Sequence, residues 1–334
     1  MAKTLVIRLS SLGDIAISIP VVYSVAKAYP GEQFVLLTKA PFKDIFLEKP
    51  LNLKVIPVFT KARHKGLKGL WKLINEIGKV DQVADLHQIL RSRLLSFYYR
   101  CKGKQVARID KGRKEKKALT HDSDKKHDKL KSTVERYQDV FDRLGFHADI
   151  CFTPFFNKER SSENGYKVGI APYARHKGKM YPIEKTEEVI RILSGKENLH
   201  IFLFGGKEEK KLLSEWEKKY PNTRSLAGMN SFEKELQTMS QLDVMLSMDS
   251  ANMHLASLVG TPVISIWGAT HPDAGFYPFN QDISLAIQKD LACRPCSIYG
   301  NKECLRKDYY CLHSISPADV ADKVSDFLAH KTNI

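Results

Sequence analysis

The 334-residue chain carries 53 Lys and Arg against 38 Asp and Glu, a formal net charge of +15, with 43% hydrophobic and 27% charged residues. That balance is the one expected of a soluble globular protein, and no apolar run approaches the ~20 residues that a membrane span needs. The length exceeds the roughly 250–300 residues at which single cores stop growing, which predicts two domains with a cleft between them.

Strands are predicted at 4–8, 33–38, 53–58, 81–86 and 104–109, separated by amphipathic stretches at 14–29, 67–79 and 89–100 and followed by another at 133–145. Alternation of this kind gives βαβ units and a parallel sheet covered on both faces. Residues 1–20 hold Arg8 and Asp14 and read as a buried strand and turn, not a cleavable leader, so the expected location is the cytoplasm. The turn after the first strand, Ser10-Ser11-Leu12-Gly13-Asp14, presents one carboxylate where the crevice of an open α/β sheet lies. Asp14 has two readings there, a cap on the helix that follows or a group aimed at a ligand.

Much of the excess charge sits in residues 100–131, with thirteen Lys or Arg against five Asp or Glu. A field of that sign attracts polyanions without choosing among nucleic acid, an anionic bilayer surface and a phosphorylated substrate; its plain alternative is a solvated loop.

A polar stretch at 154–166 reads as a linker between a domain at 1–155 and one at 165–315, where the alternation restarts. Strands are predicted within 167–172, 199–206, 223–228, 243–249 and 262–268, with helices near 184–195, 208–219, 231–241 and 250–259. A last helix within 316–334, opened by Ser316 and Pro317, is free to pack back on the first domain.

Three strand ends of the second domain carry chemistry. The loop 171–182 brings Arg175, His176, Lys177 and Lys179 together, cations suited to phosphate oxygens or simply a solvated basic loop. Gly205 and Gly206 precede Glu208 and Glu209, which suit ribose hydroxyls or merely favour the first turn of a helix. The turn of Asp249, Ser250 and Ala251 opens a helix through Met253 and His254, and unpaired N–H groups there suit a diphosphate. Ser250 as a cap and His254 as a packed residue are the structural alternative.

Cys293, Cys296, Cys304 and Cys311 follow a C-x2-C-x7-C-x6-C spacing. In a cytoplasmic protein this reads as a structural four-thiolate zinc or iron site, against free thiols as the other reading.

RLSSLGD (8–14), KMYP (179–182), DSANMHLA (249–256) and GTPVISIWGATHP (260–272), in this order, resemble glycosyltransferase family 9, the bacterial lipopolysaccharide heptosyltransferases. The resemblance implies an α/β protein of GT-B architecture, two Rossmann-like domains facing across a cleft, and inverting transfer from ADP-heptose with no catalytic cofactor. It implies Asp14 as general base beside Gly13, Lys179 on the departing diphosphate, and Asp249, Ser250, Ala251, Met253 and His254 around the donor, with Arg175, Glu208 and Glu209 assisting. The implied acceptor is a phosphorylated lipid-linked core oligosaccharide, for which Lys61, Arg63 and Lys65 with His64 are the candidate contacts. Peripheral association with the anionic inner leaflet follows from the same charge. Two alternatives remain: another nucleotide sugar or a protein acceptor within the family, and a basic nucleic-acid-binding protein. The last lacks any aromatic-interleaved RNA motif or zinc-finger helix, so nucleic acid is not an expected partner.

Overall fold

The structure, a computed structural model, describes residues 2–121, 129–156, 165–228 and 231–331. The chain divides into two compact units, Met1–Gly112 with Lys131–Thr153, and Arg113–Leu130 with Pro154–Ile334.

In chain order the first unit holds β1 (Lys3–Ile7), α1 (Leu12–Ala28), β2 (Gln33–Lys39), β3 (Leu53–Val58), α2 (Gly66–Ile77), β4 (Gln82–Asp85), α3 (Leu90–Cys101) and β5 (Gln105–Arg108). α4 (Arg113–His121) follows and belongs to the second unit, after which α5 (Thr133–Asp142) returns to the first. The five strands form a parallel sheet in the order β3-β2-β1-β4-β5. β1 is central and buried on both faces, which is why Leu5, Val6 and Ile7 run as continuous apolar sequence rather than alternating with polar residues. α1 is likewise buried from Ile15 to Ala26, as a helix apolar on all sides must be.

The second unit contains β6 (Tyr166–Ala171), α6 (Ile183–Ser194), β7 (Leu199–Leu203), α7 (Lys210–Lys219), β8 (Thr223–Ser225), α8 (Phe232–Ser240), β9 (Val244–Met248), α9 (Ala251–Leu258), β10 (Val263–Ile266), β11 (Ala286–Ile287), α10 (Tyr310–His313) and α11 (Pro317–Lys331). Its parallel sheet runs β8-β7-β6-β9-β10-β11. Counted from the first strand of each unit, both sheets follow the Rossmann order, so the topological switch points lie between β1 and β4 and between β6 and β9. Val320, Val324 and Leu328 of α11 join the second unit's core with Ile170, Leu203 and Ile266. The apolar face of that last helix is therefore covered within the second unit.

α4 departs from the sequence reading, which left 113–121 in a basic loop of the first domain. Its Lys116 and Leu119, one turn apart, are buried, and the Lys116 ammonium lies 4.2 Å from the centre of the Phe276 ring. The stem of a lysine covers apolar surface well, which lets so polar a sequence form a packed helix. Residues 122–128 of the same basic stretch, and 157–164 of the linker, lie outside the described residues. Among the described residues no helix is long and apolar enough to cross a membrane.

Candidate active site

Each switch point gathers charged side chains on the loops that leave its two strands. In the second unit the loop after β6 ends in a short turn, Lys177–Lys179, and the Lys179 Nζ lies 2.7 Å from Oδ2 of Asp249, the residue that follows β9. Both side chains are withdrawn from water, at 16% and 5% exposure. An ion pair this buried is held by its surroundings, since desolvating either charge alone is costly.

Those surroundings are built from glycine. A Cβ at Gly178 would stand 2.8 Å from the Gly300 carbonyl oxygen and 2.9 Å from the Ala269 Cβ; one at Gly300, where φ is +69°, would stand 2.5 Å from Cγ of Lys179. The close approach lets the Gly178 N–H donate to the Gly300 carbonyl at 3.2 Å and the Gly178 carbonyl accept from Ala269 N–H at 2.8 Å. Arg294, buried, ties the same layer together by donating to the carbonyls of Gly268 at 2.5 Å and Thr270 at 2.8 Å. Lys179 is thus fixed to the loop after β10 by backbone, not left on a free arm.

Asp249 leads into Ser250, whose extended backbone (φ −141°, ψ 179°) opens α9, and the hydroxyls of Ser247 and Ser250 stand 3.2 Å apart. Ala251 and half-buried Ser250 leave the first turn of α9 open to a close-lying anion, while Met253 and His254 are buried behind it. Arg175 is exposed on the same loop as Lys179; burial, together with the charges of Arg175 and Lys179, pushes the His176 imidazole down, so it adds no competing charge near neutral pH. Glu209 stands at the start of α7 and Glu208 is exposed beside it; with Tyr173, Lys211, Leu212 and Glu215 they line an open hollow of about 530 Å³. Burial and Glu209 both push the Tyr173 phenol up, which keeps it a hydrogen-bond donor there.

In the first unit Asp14 serves the cap and a charge network at once. Its Oδ2 accepts the Ser11 backbone N–H at 3.1 Å and the Ser11 hydroxyl at 2.6 Å, and lies 2.6 Å from the Arg8 guanidinium. Arg8, buried, also donates to the Leu86 carbonyl at 2.7 Å, bridging the ends of β1 and β4. Burial works against its charge, but Tyr137, Asp14 and Asp85 outweigh that and raise its pKa. His87 accepts the Leu9 N–H through Nδ1 at 3.3 Å, and burial with Arg8 and Lys111 nearby pushes it down to about 3. Asp85 in turn accepts the backbone N–H groups of His87 and Gln88 at 3.0 and 2.8 Å. Gly13 lies in the first turn of α1 beside Asp14.

Arg8, Asp85, His87, Gly300 and Arg294 were not among the sequence candidates. Arg8 and His87 stand just past buried strands and Asp85 closes β4, and that signal was available at Asp85-Leu86-His87-Gln88. Arg294 and Gly300 gave no local signal, because their partners lie in a distant loop.

Of the proposed acceptor cations, Lys61 and Lys65 are exposed on the loop before α2. Arg63 stacks 4.9 Å over the Phe59 ring and pairs with Glu76 at 3.3 Å, which leaves it less available than its exposure suggests. His64 is buried, its ring between the Phe59 N–H and Glu76, and is structural.

The four-thiolate metal site needs correction. Cys293, Cys296, Cys304 and Cys311 are free, and among the described residues no three His, Cys, Asp or Glu side chains form a metal-ligand group. Cys311 is buried in the second unit's core, which pushes its thiol up to about 11, while Cys293, Cys296 and Cys304 remain half-exposed. The thiols of Cys293, Cys296 and Cys304 add to the upward push on Cys311, so the four share one neighbourhood, but no metal-ligand group forms among them and a structural zinc or iron is unsupported.

Residues 70–305 match glycosyltransferase family 9 (heptosyltransferase). Lipooligosaccharide heptosyltransferase 2 of Campylobacter jejuni is 23% identical over 94% of this chain and 95% of its own length. The glycosyl transferase family 9 structure from Veillonella parvula superposes with a TM-score of 0.75 at 18% identity, covering 98% of both chains. E. coli heptosyltransferase WaaC, solved with ADP-2-deoxy-2-fluoro heptose, gives 0.66 at 19% identity over 98% of this chain and 99% of that one. The paired Rossmann-like units are the GT-B architecture of these heptosyltransferases.

Proposed function

The chain belongs to glycosyltransferase family 9 and is a sugar-transferring enzyme, and from that premise we propose that it moves heptose from ADP-heptose to a lipopolysaccharide inner core with inversion. The observation that carries the donor half is the buried Lys179–Asp249 pair at the β6/β9 switch point, beside the open first turn of α9. A nucleoside diphosphate entering there meets one fixed ammonium, the exposed guanidinium of Arg175 and oriented backbone N–H groups, a set that carries its charge with no catalytic metal. The hollow of Tyr173, Glu208 and Glu209 offers carboxylates for ribose hydroxyls. ADP-heptose as the donor is supported by the likeness to the E. coli enzyme solved with an analogue of it.

In the reaction, the Asp14 carboxylate takes the proton of an acceptor hydroxyl as its oxygen bonds to the anomeric carbon. The bond from that carbon to the diphosphate breaks on the opposite face, and ADP leaves toward Lys179, Arg175 and the α9 N-terminus. Arg8 and Ser11 hold Oδ2 of Asp14, so the carboxylate meets the acceptor in one orientation. Lys61, Arg63 and Lys65 would meet phosphates of a lipid-linked acceptor, whose lipid in turn brings the enzyme to the anionic face of the inner membrane.

The test is transfer from ADP-heptose to a heptose-free inner-core acceptor in chelator, with the product's anomeric configuration read by NMR. Asp14→Asn should lower turnover by roughly 10²- to 10⁴-fold while ADP affinity stays put. Near-normal turnover of that variant would remove Asp14 as the base, and absence of ADP-heptose binding would remove the donor.

A further inference from the structure

Seven of the twelve large hydrophobic side chains exposed among the described residues cluster on and beside α2 and α3: Phe59, Leu67, Trp71, Ile89, Leu90, Leu94 and Phe97. Isolated exposed leucines need no explanation, but a contiguous patch does. Leu67 and Trp71 are one turn apart on α2, while Leu90, Leu94 and Phe97 share the i, i+4, i+7 face of α3. The two stripes join where the Trp71 ring meets Tyr98 edge-on at 5.8 Å, Tyr98 lying one turn beyond Leu94.

Cations interleave this patch. Lys68 and Lys72 follow Leu67 and Trp71, and Arg93 precedes Leu94; all three are exposed. Neither residues 61–75 nor residues 86–104 contain one Asp or Glu, although each stretch holds five Lys or Arg. The Arg91 guanidinium donates to the His64 carbonyl at 2.7 Å, fastening the start of α3 to the loop of Lys61 and Lys65, so charge and apolar surface form one continuous face.

We propose that this α2–α3 face docks on an anionic lipid bilayer, with Trp71, Phe97 and the leucines entering the headgroup region and the lysines and arginines meeting lipid phosphates. A second copy of the chain would bring the same uncompensated positive charge against itself, whereas an anionic surface complements it. Trp, Phe and Leu on one side with Lys and Arg around them is the composition that lies in a membrane interface without spanning it. The inference rests on the proposed lipid-linked acceptor and names the surface that reaches it.

Trp71 supplies the readout, since the other two tryptophans, Trp216 and Trp267, are buried. Full-length protein without nucleotide is mixed with vesicles of phosphatidylglycerol and phosphatidylethanolamine, or of phosphatidylcholine alone. The expected result is co-flotation with the anionic vesicles, weakened by salt, and a blue shift of tryptophan emission. Trp71→Ser/Phe97→Ser should reduce partitioning at least tenfold with an unchanged melting temperature; Trp71→Phe should keep partitioning and lose the shift; Lys68→Gln/Lys72→Gln/Arg93→Gln should weaken binding to anionic vesicles. No binding to anionic vesicles, equal binding by the serine variant, or a wild-type dimer in sedimentation velocity that the serine variant abolishes would each overturn the proposal. Transfer to a detergent-solubilised acceptor is measured alongside. If it persists without vesicle binding, the docking face alone fails; if vesicles bind and no transfer occurs, the heptosyl-transfer reading alone fails.

Discussion

Removing the Lys179 ammonium separates the observed pairing with Asp249 from the proposed contact with the donor diphosphate. In Lys179→Met the Asp249 carboxylate, 5% exposed, loses a partner at 2.7 Å. Breaking a fully buried pair costs about 3–5 kcal/mol; because Lys179 still touches water at 16% exposure, a cost of about 1–3 kcal/mol is expected here. At about 2–4 °C per kcal/mol for a unit of this size, that is a clear fall in melting temperature. If the same ammonium also meets the donor diphosphate, loss of a charged hydrogen bond worth about 1.5–3 kcal/mol raises the Kd for ADP roughly 10- to 150-fold. The double variant Lys179→Met/Asp249→Asn removes the stranded charge. It should regain most of the lost thermal stability, yet calorimetry should find ADP binding still weak. Recovery of ADP affinity in the double variant would refute the reasoning, because Lys179 would then act only by neutralising Asp249.

Three further outcomes follow from particular contacts. Gly300→Ala places a Cβ 2.5 Å from Lys179 Cγ at a φ of +69°, and is expected to cost about 1–3 kcal/mol in thermal unfolding and to weaken ADP binding; unchanged affinity would mean that Lys179 does not need this wall. Arg8→Lys keeps the charge but cannot hold both Asp14 and the Leu86 carbonyl, so turnover should fall about tenfold or more at constant ADP affinity, and unaltered turnover would show that Asp14 needs no orienting. His87 titrates near 3 when folded against an ordinary value near 6.5, so between those values the unfolded chain binds the extra proton and stability falls as pH drops through that window. His87→Asn, whose amide oxygen can still accept the Leu9 N–H, should make the unfolding free energy less steep from pH 6.5 to 4 by up to one proton, about 1.4 kcal/mol per pH unit; equal slopes in urea unfolding would contradict the assignment.

What the sequence could show was set by the range of the interactions involved. The strands were legible because burial on both faces makes them short continuous apolar runs between turn signals, as in VMLSM of β9. Strand-end positions were legible for the same reason, so Asp14, Lys179 and Asp249 stood out as polar residues just past buried strands. Their pairing was not. Nothing at Lys179 indicates that its partner lies seventy residues on, nor that Gly178 and Gly300 press the two loops together. The helix α4 escaped because RKEKKALTH offers no apolar stripe; its buried face is made by a lysine stem and one leucine, and the Phe276 that receives them is remote in sequence. The cysteines failed in the opposite direction. Their spacing is local information about chain proximity, but ligation needs thiols within bonding distance of one ion, and no such group forms among the described residues although Cys311 senses the other three. At Asp14 the cap contacts are compatible with the proposed catalytic role. The Ser11 contacts that cap α1 converge with Arg8 on the same carboxylate oxygen, so the cap itself supplies the fixed orientation that a general base requires.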